Sequence, residues 1–148
     1  EQVVRSTADV ALVVDRSFHD AHRAGVPLPP NPIDLVVTSM PPNGRRFVSP
    51  EGGSRVLRIG PDVPADQAHG EFIGMALFSA KGAAALRVVR DELASARAEG
   101  LDKASITHVL QAMIDRGHQV VAVDIHKGWT EVDSAEDYRR AWADVVPG

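Results

Sequence analysis

The sequence predicts an α/β sandwich on a mixed sheet, and three features of its 148 residues point there. The run Val10–Asp15 is continuously aliphatic and β-branched, as in a strand buried on both faces of a sheet. The second half carries two stretches with apolar residues at helical spacing. Short β-like pieces between turn residues fill the middle, and strands mixed with helices in this way layer as α/β with some antiparallel excursions. Hydrophobic residues at 44% and charged residues at 24% are globular values, which exclude a disordered chain and suit one core.

The elements follow in order. The strand at residues 10–15 ends at Asp15, at a strand mouth, and residues 16–23 form a short helix or turn. Four prolines between residues 27 and 32 forbid regular structure, so residues 25–32 are a loop. Three short strands are expected at residues 34–39, 46–49 and 55–59, separated by turns at 41–44 and 51–54. Residues 71–78 read as a longer strand interrupted by Gly74, and a glycine inside a strand often marks close backbone approach by a ligand. Leu86, Val89, Leu93 and Ala96 define a helix between an N-cap at Ser79 and a terminator at Gly100. Ile106, Val109, Leu110, Met113 and Ile114 form the stripe of a second helix, stopped by Gly117. Residues 118–124 supply another strand. A shortened capping box at residues 134–137 opens a last helix, whose buried face is Tyr138, Ala141, Trp142 and Val145.

Composition removes several function classes. With no cysteine there is neither a disulfide framework nor a thiolate zinc site, so a cytoplasmic setting is expected. The longest apolar runs, as at residues 120–123, fall far short of the roughly 20 residues of a membrane span, and no signal peptide is visible. No membrane partner is expected. A net charge of −4 with scattered basic residues gives no field for a nucleic-acid backbone. His19 and His22 lie three apart in a possible helix, but zinc needs three or four converging ligands and nothing accompanies them. Met113 and Trp142 lie on apolar helical faces and read as core.

The stretch that carries chemistry is His126-Lys-Gly-Trp-Thr-Glu-Val-Asp-Ser-Ala-Glu-Asp137. Glu131 and Asp133 stand two apart just before a helix N-cap, and in an extended chain that spacing puts both carboxylates on one side. Such a pair suits a hard cation.

This stretch resembles the Trp-x-Glu-(Ile/Val)-Asp-(Ser/Thr)-x-Glu-Asp pattern near the C-terminus of nucleotidyltransferases, in particular choline-phosphate and aminoethylphosphonate cytidylyltransferases. Residues 8–15 look like the strand after that family's central metal aspartate. Residues 70–74 look like its strand beside the acceptor, most like versions fused to phosphoenolpyruvate mutases. The matches cover nearly the whole chain in family order. The resemblance implies a three-layer nucleotide-diphospho-sugar transferase (Rossmann-like) sandwich, with this chain as its C-terminal half. The family's opening glycine-rich loop and first metal aspartate have no match here, and Gly52-Gly53 lies in a turn that leads into no helix. The chain begins with Glu1 rather than methionine, in keeping with a fragment.

The implied reaction is attack by an acceptor phosphate or phosphonate oxygen on the α-phosphorus of a nucleoside triphosphate, with CTP the expected nucleotide, releasing pyrophosphate. Asp133 would be the catalytic ligand of Mg2+; its plainer role is to interact with the following helix dipole. Glu131 is an outer group of that site or an exposed charge. Glu71 faces a cationic acceptor group or is a solvated charge at a strand start. Trp129 stacks on the acceptor or packs the last helix. Asp15 is structural or lines the substrate, and Gly74 lets it approach. The competing class is a non-catalytic binding or regulatory domain derived from the same fold. If the neighbours of the first strand lie in an N-terminal half, this chain exposes an unpaired strand edge, and association with that half or as a homo-oligomer is expected.

Overall fold

The structure, a computed structural model, describes residues 8–25, 27, 32–41, 53–96, 105–130, 132 and 134–145. The expected strand at 46–49, the terminator Gly100, the carboxylates Glu131 and Asp133, and the side chains of Asp137 and Val145 lie outside the described residues. Among the described residues five strands form one sheet, mixed as the sequence predicts: β1 (Val10–Asp15), β2 (Leu35–Thr38), β3 (Val56–Gly60), β4 (Gly70–Phe78) and β5 (Val120–Ile125). Their order is β3-β2-β4-β1-β5.

The strand β1 is buried at every residue, as its unbroken aliphatic run requires. Its neighbours correct one expectation: β4 pairs with it antiparallel and β5 pairs with it parallel, so both its edges are satisfied within this chain. The reason lies in β4 and β5 themselves, each long enough and apolar enough to complete a ladder. Leu12 opposes Ala76 while Val14 opposes Phe72, so β4 carries a bulge at residues 73–75. Gly74 sits in that bulge at φ 78° with open space around its Cβ position. The left-handed backbone of the bulge favours glycine there, and the Cβ position faces open space.

Val10, Leu12 and Val14 share one sheet face with Phe72, Ala76 and Phe78 of β4 and Val120 and Ala122 of β5. Two helices cover that face: α2 (Ala80–Ala96) through Val89, and α3 (Ile106–Asp115) through Val109, Leu110 and Met113. Full burial of such side chains contributes about 1.5–3 kcal/mol each. Ser79 caps α2 as expected, its Oγ accepting from the Gly82 amide at 3.0 Å. Gly117, at φ 83°, closes α3, with its amide on Ile114 and the His118 amide on Met113, the paired bonds of a left-handed helix stop.

The hairpin of β2 and β3 folds back over α3, where the Ile59 amide donates to Gln111 Oε1 at 2.8 Å. Arg55 bridges Val121, and the Ala122 amide donates to Ser54 O at 2.8 Å, so the two ends of the sheet meet. A Cβ on Gly53 would lie 2.0 Å from Ala122 O, which gives this glycine a packing role and no phosphate-binding one.

Among the described residues, large apolar side chains are exposed on β4 and on the last helix. On the sheet face opposite α2 and α3, Met75 and Leu77 of β4 are 61% and 42% exposed. In α4 (Ala135–Val145), Tyr138 and Trp142 are 58% and 60% exposed and stack on each other with centroids 6.2 Å apart. The sequence places both in the core, and the structure does not. Helical periodicity identifies an apolar stripe but not what covers it. Met113, by contrast, is fully buried as expected.

Candidate active site

In α/β sheets, ligands bind outside the carboxyl ends of parallel strands. Here β1 and β5 end side by side at Asp15 and Ile125, and the Arg16 amide donates to Ile125 O at 2.9 Å, continuing the ladder one residue further. Asp15 is only 4% exposed, and its carboxylate accepts three hydrogen bonds. Oδ1 takes the Ser17 amide at 2.8 Å, at the start of α1 (Ser17–Arg23), and the Lys127 amide at 3.1 Å. Oδ2 takes the Trp129 indole Nε1–H at 2.6 Å. Burial alone pushes the carboxyl up, and these donors outweigh it, so Asp15 titrates below its ordinary range and is charged at neutral pH.

The chain leaving β5 is bent to reach these oxygens. Lys127 lies at φ 59° and Gly128 at φ 88°, two consecutive left-handed residues. A non-glycine residue in that region costs roughly 1–2 kcal/mol, which the bonds to Asp15 offset. Glu71 is the register partner of Asp15 across the β1–β4 ladder, so both carboxylates project from the same sheet face. The structure thus brings Asp15, Glu71 and Trp129 together. Gly74 lies three residues further along β4.

The other side of the strand mouth is held by residues that sequence reasoning missed. Arg16 is buried, its Nη2 2.8 Å from Asp124 and its Nη1 donating to Thr38 Oγ1 at 3.2 Å and to His69 O at 3.1 Å. The Thr38 amide donates to His69 Nδ1 at 3.1 Å, which leaves the ring proton of a neutral imidazole on Nε2. Burial first, and then the Arg16 charge, hold His69 below the ordinary histidine range. Consecutive residues Asp15 and Arg16 therefore tie the β5 exit, the β2 end and the β4 start to one point. A basic residue directly after a strand-end aspartate is the only trace of this in the sequence.

At the opposite end of the sheet, Asp9 has the same joining role. Its carboxylate meets Lys81 Nζ at 2.9 Å and the Gln119 amide at 3.0 Å, and these contacts hold its carboxyl below the ordinary range against the opposing effect of burial. All three shifts have one sign. In each case the unfolded chain binds a proton more readily than the folded one, so stability rises with pH. Stability is expected to fall in two steps on acidification, the first below about pH 6.5 from His69 and the second below about pH 4 from Asp9 and Asp15. Thermal melting followed by circular dichroism across that range checks this, and His69→Gln should remove the upper step alone. A melting temperature that rises between neutral and mildly acidic pH contradicts it.

Among the described residues, no group of three His, Asp or Glu side chains converges as a metal cage. Magnesium needs only one or two carboxylates when phosphate oxygens complete its shell. The Asp15 carboxylate is already engaged by three donors, and Glu131 and Asp133 lie outside the described residues. No helix among the described residues is long and apolar enough to cross a membrane.

No family model and no curated protein sequence matches the chain. Among solved structures, it is similar to the inositol-1-phosphate CTP transferase from T. maritima, with a TM-score of 0.51 and 20% identity over 90% of this chain. The match covers 42% of that structure's chain, so the present chain spans less than half of its length. At this identity the likeness establishes the fold, an α/β arrangement with a mixed sheet.

Proposed function

We propose that this chain forms the acceptor side of a magnesium-dependent nucleotidyltransferase that moves CMP from CTP to a phosphate- or phosphonate-bearing small molecule. The observation that carries the reading is the Asp15–Trp129 bond, which pins the start of the Trp129 to Asp137 segment at the carboxyl ends of β1 and β5, beside Glu71. Asp133 follows Trp129 by four residues in the sequence. The described fold's likeness to a CTP transferase supports the same reading.

In this reading an acceptor oxygen forms a bond to the α-phosphorus while the bond from that phosphorus to the β-phosphate oxygen breaks, and pyrophosphate leaves. Such transfers depend mainly on positioning and charge neutralisation. Asp133, with Glu131 beside it, would hold magnesium, which when bound neutralises charge on the phosphates. Trp129 lines the acceptor pocket. Glu71 faces a cationic group of the acceptor such as an amine. The glycine-rich nucleotide loop comes from polypeptide outside these 148 residues. The open faces at Met75 and Leu77 and at Tyr138 and Trp142 support an arrangement in which that polypeptide, or a second copy, covers them.

The test of the acceptor assignment is Glu71→Gln, which removes a charge and little volume. It is expected to raise the Michaelis constant for an amine-bearing acceptor roughly tenfold and to leave that for CTP unchanged, because only the acceptor loses a charge partner. Equal changes in both constants sink the assignment. Binding of both ligands with no pyrophosphate release, even with the loop-bearing polypeptide present, favours the non-catalytic binding domain.

A further inference from the structure

We propose that Asp15 is a positioning residue that presets the Lys127 to Thr130 turn before substrate arrives, acting through the left-handed backbone and the Trp129 indole rather than by touching substrate. The proposal deepens the nucleotidyltransferase reading and rests on it for its catalytic consequence. Its geometric basis is independent of that reading. A carboxylate with three donors already seated on its two oxygens has little capacity left for a ligand. Two of those donors belong to the segment that follows β5, 112 and 114 residues away in sequence. The third, the Ser17 amide, anchors the carboxylate to its own strand end.

The turn explains why a clamp is needed here. Lys127 and Gly128 both hold positive φ, a conformation that persists only where surrounding contacts determine it. The Lys127 amide bonded to Asp15 is such a contact. Without it the backbone relaxes, and the turn from Lys127 to Thr130 loses its fixed direction. A segment that must be ordered on each turnover lowers the fraction of enzyme competent for transfer, and so lowers kcat more than it raises the Michaelis constant of either substrate.

The test uses the full chain in a Trp142→Phe background, which leaves Trp129 as the only tryptophan of the two in the sequence. Its indole N–H is followed by ¹⁵N-resolved NMR, and amide hydrogen exchange is followed along the chain. Asp15→Asn is expected to move the indole resonance towards its free position. It should also raise exchange at least tenfold at residues 127–130, with exchange in β1 and α3 unchanged. Trp129→Phe keeps an aromatic ring while removing the indole N–H and part of the ring volume, and serves if Asp15→Asn does not fold. It is expected to lower kcat about tenfold with the Michaelis constant for CTP within twofold. An indole resonance unmoved by Asp15→Asn overturns the proposal, as does an exchange increase spread over the whole sheet. In an active enzyme, Trp129→Phe with unchanged kcat overturns it too. If the unsubstituted protein releases no pyrophosphate, the functional reading fails, while the indole and exchange results still decide whether Asp15 orders the segment.

Discussion

Asp133→Asn is expected to reduce pyrophosphate release roughly a hundred- to a thousandfold while leaving the melting temperature almost unchanged. Asparagine preserves the size and capping geometry of aspartate and removes its charge. A magnesium site supplied by one or two carboxylates then loses half or more of its protein charge, and removing one preorganised electrostatic contact to a reacting phosphoryl group typically costs that much in rate. Stability changes little because the plainer role of this residue, a favourable interaction with the start of α4, contributes under about 1 kcal/mol. Asp137→Asn is the matched control. It lies in the first turn of α4, so it should cost modest stability and leave turnover within about twofold. Raising magnesium should recover part of the Asp133→Asn loss, since weakened binding is overcome by concentration. Near-normal turnover of Asp133→Asn at unchanged magnesium means the residue does no more than face the helix dipole.

Gly82→Ala is expected to destabilise the protein by about 3 kcal/mol, a drop of roughly 6–12 °C in melting temperature for a chain of this length. Two effects compete. Alanine favours a helix over glycine by about 1 kcal/mol, so propensity alone predicts a gain. The added Cβ, however, would lie 1.9 Å from Asp9 O and 2.7 Å from Asp9 C, both backbone atoms at the entry to β1. Backbone cannot rotate away, so α2 must lift from the sheet. Lifting it strains the Ser79 cap, the Lys81–Asp9 ion pair and the seat of Val89 together. Ser95→Ala, on the exposed far end of α2, should stay within about 0.5 kcal/mol. A higher melting temperature for Gly82→Ala would mean that α2 does not sit so close to β1.

How much of this could be read in advance follows from the range of each interaction. β1, β4, α2, α3 and β5 were legible because their signals are local: β-branched runs, the 3.6-residue stripe, Ser79 and Gly117 at their ends. The pairing of β1 with β4 and β5 was not, because a buried strand reads alike whichever neighbours it has. The Asp15–Trp129 bond joins residues 114 apart, and no periodicity encodes a single hydrogen bond across that distance. Both residues could be nominated separately; their contact could not. Arg16, Thr38, His69 and Asp124 are illegible in the sequence for the same reason, each being unremarkable until the strand ends converge. Gly74 is legible as an interruption in a strand, and a bulge lies there. Tyr138 and Trp142 show the opposite failure, a correct stripe whose covering surface was assumed.

The central claim is that the strand mouth built by Asp15, Glu71 and Trp129 serves transfer of a nucleotidyl group. Phosphorus NMR of the reaction mixture tests it most directly, with the chain combined with the polypeptide that carries the glycine-rich loop, CTP, magnesium and a phosphate monoester acceptor. A new phosphoanhydride resonance from a CMP-linked acceptor is expected, growing in equal amount with pyrophosphate and abolished by chelating the magnesium. CTP that stays intact, or that breaks down to pyrophosphate and CMP with no acceptor adduct, contradicts it.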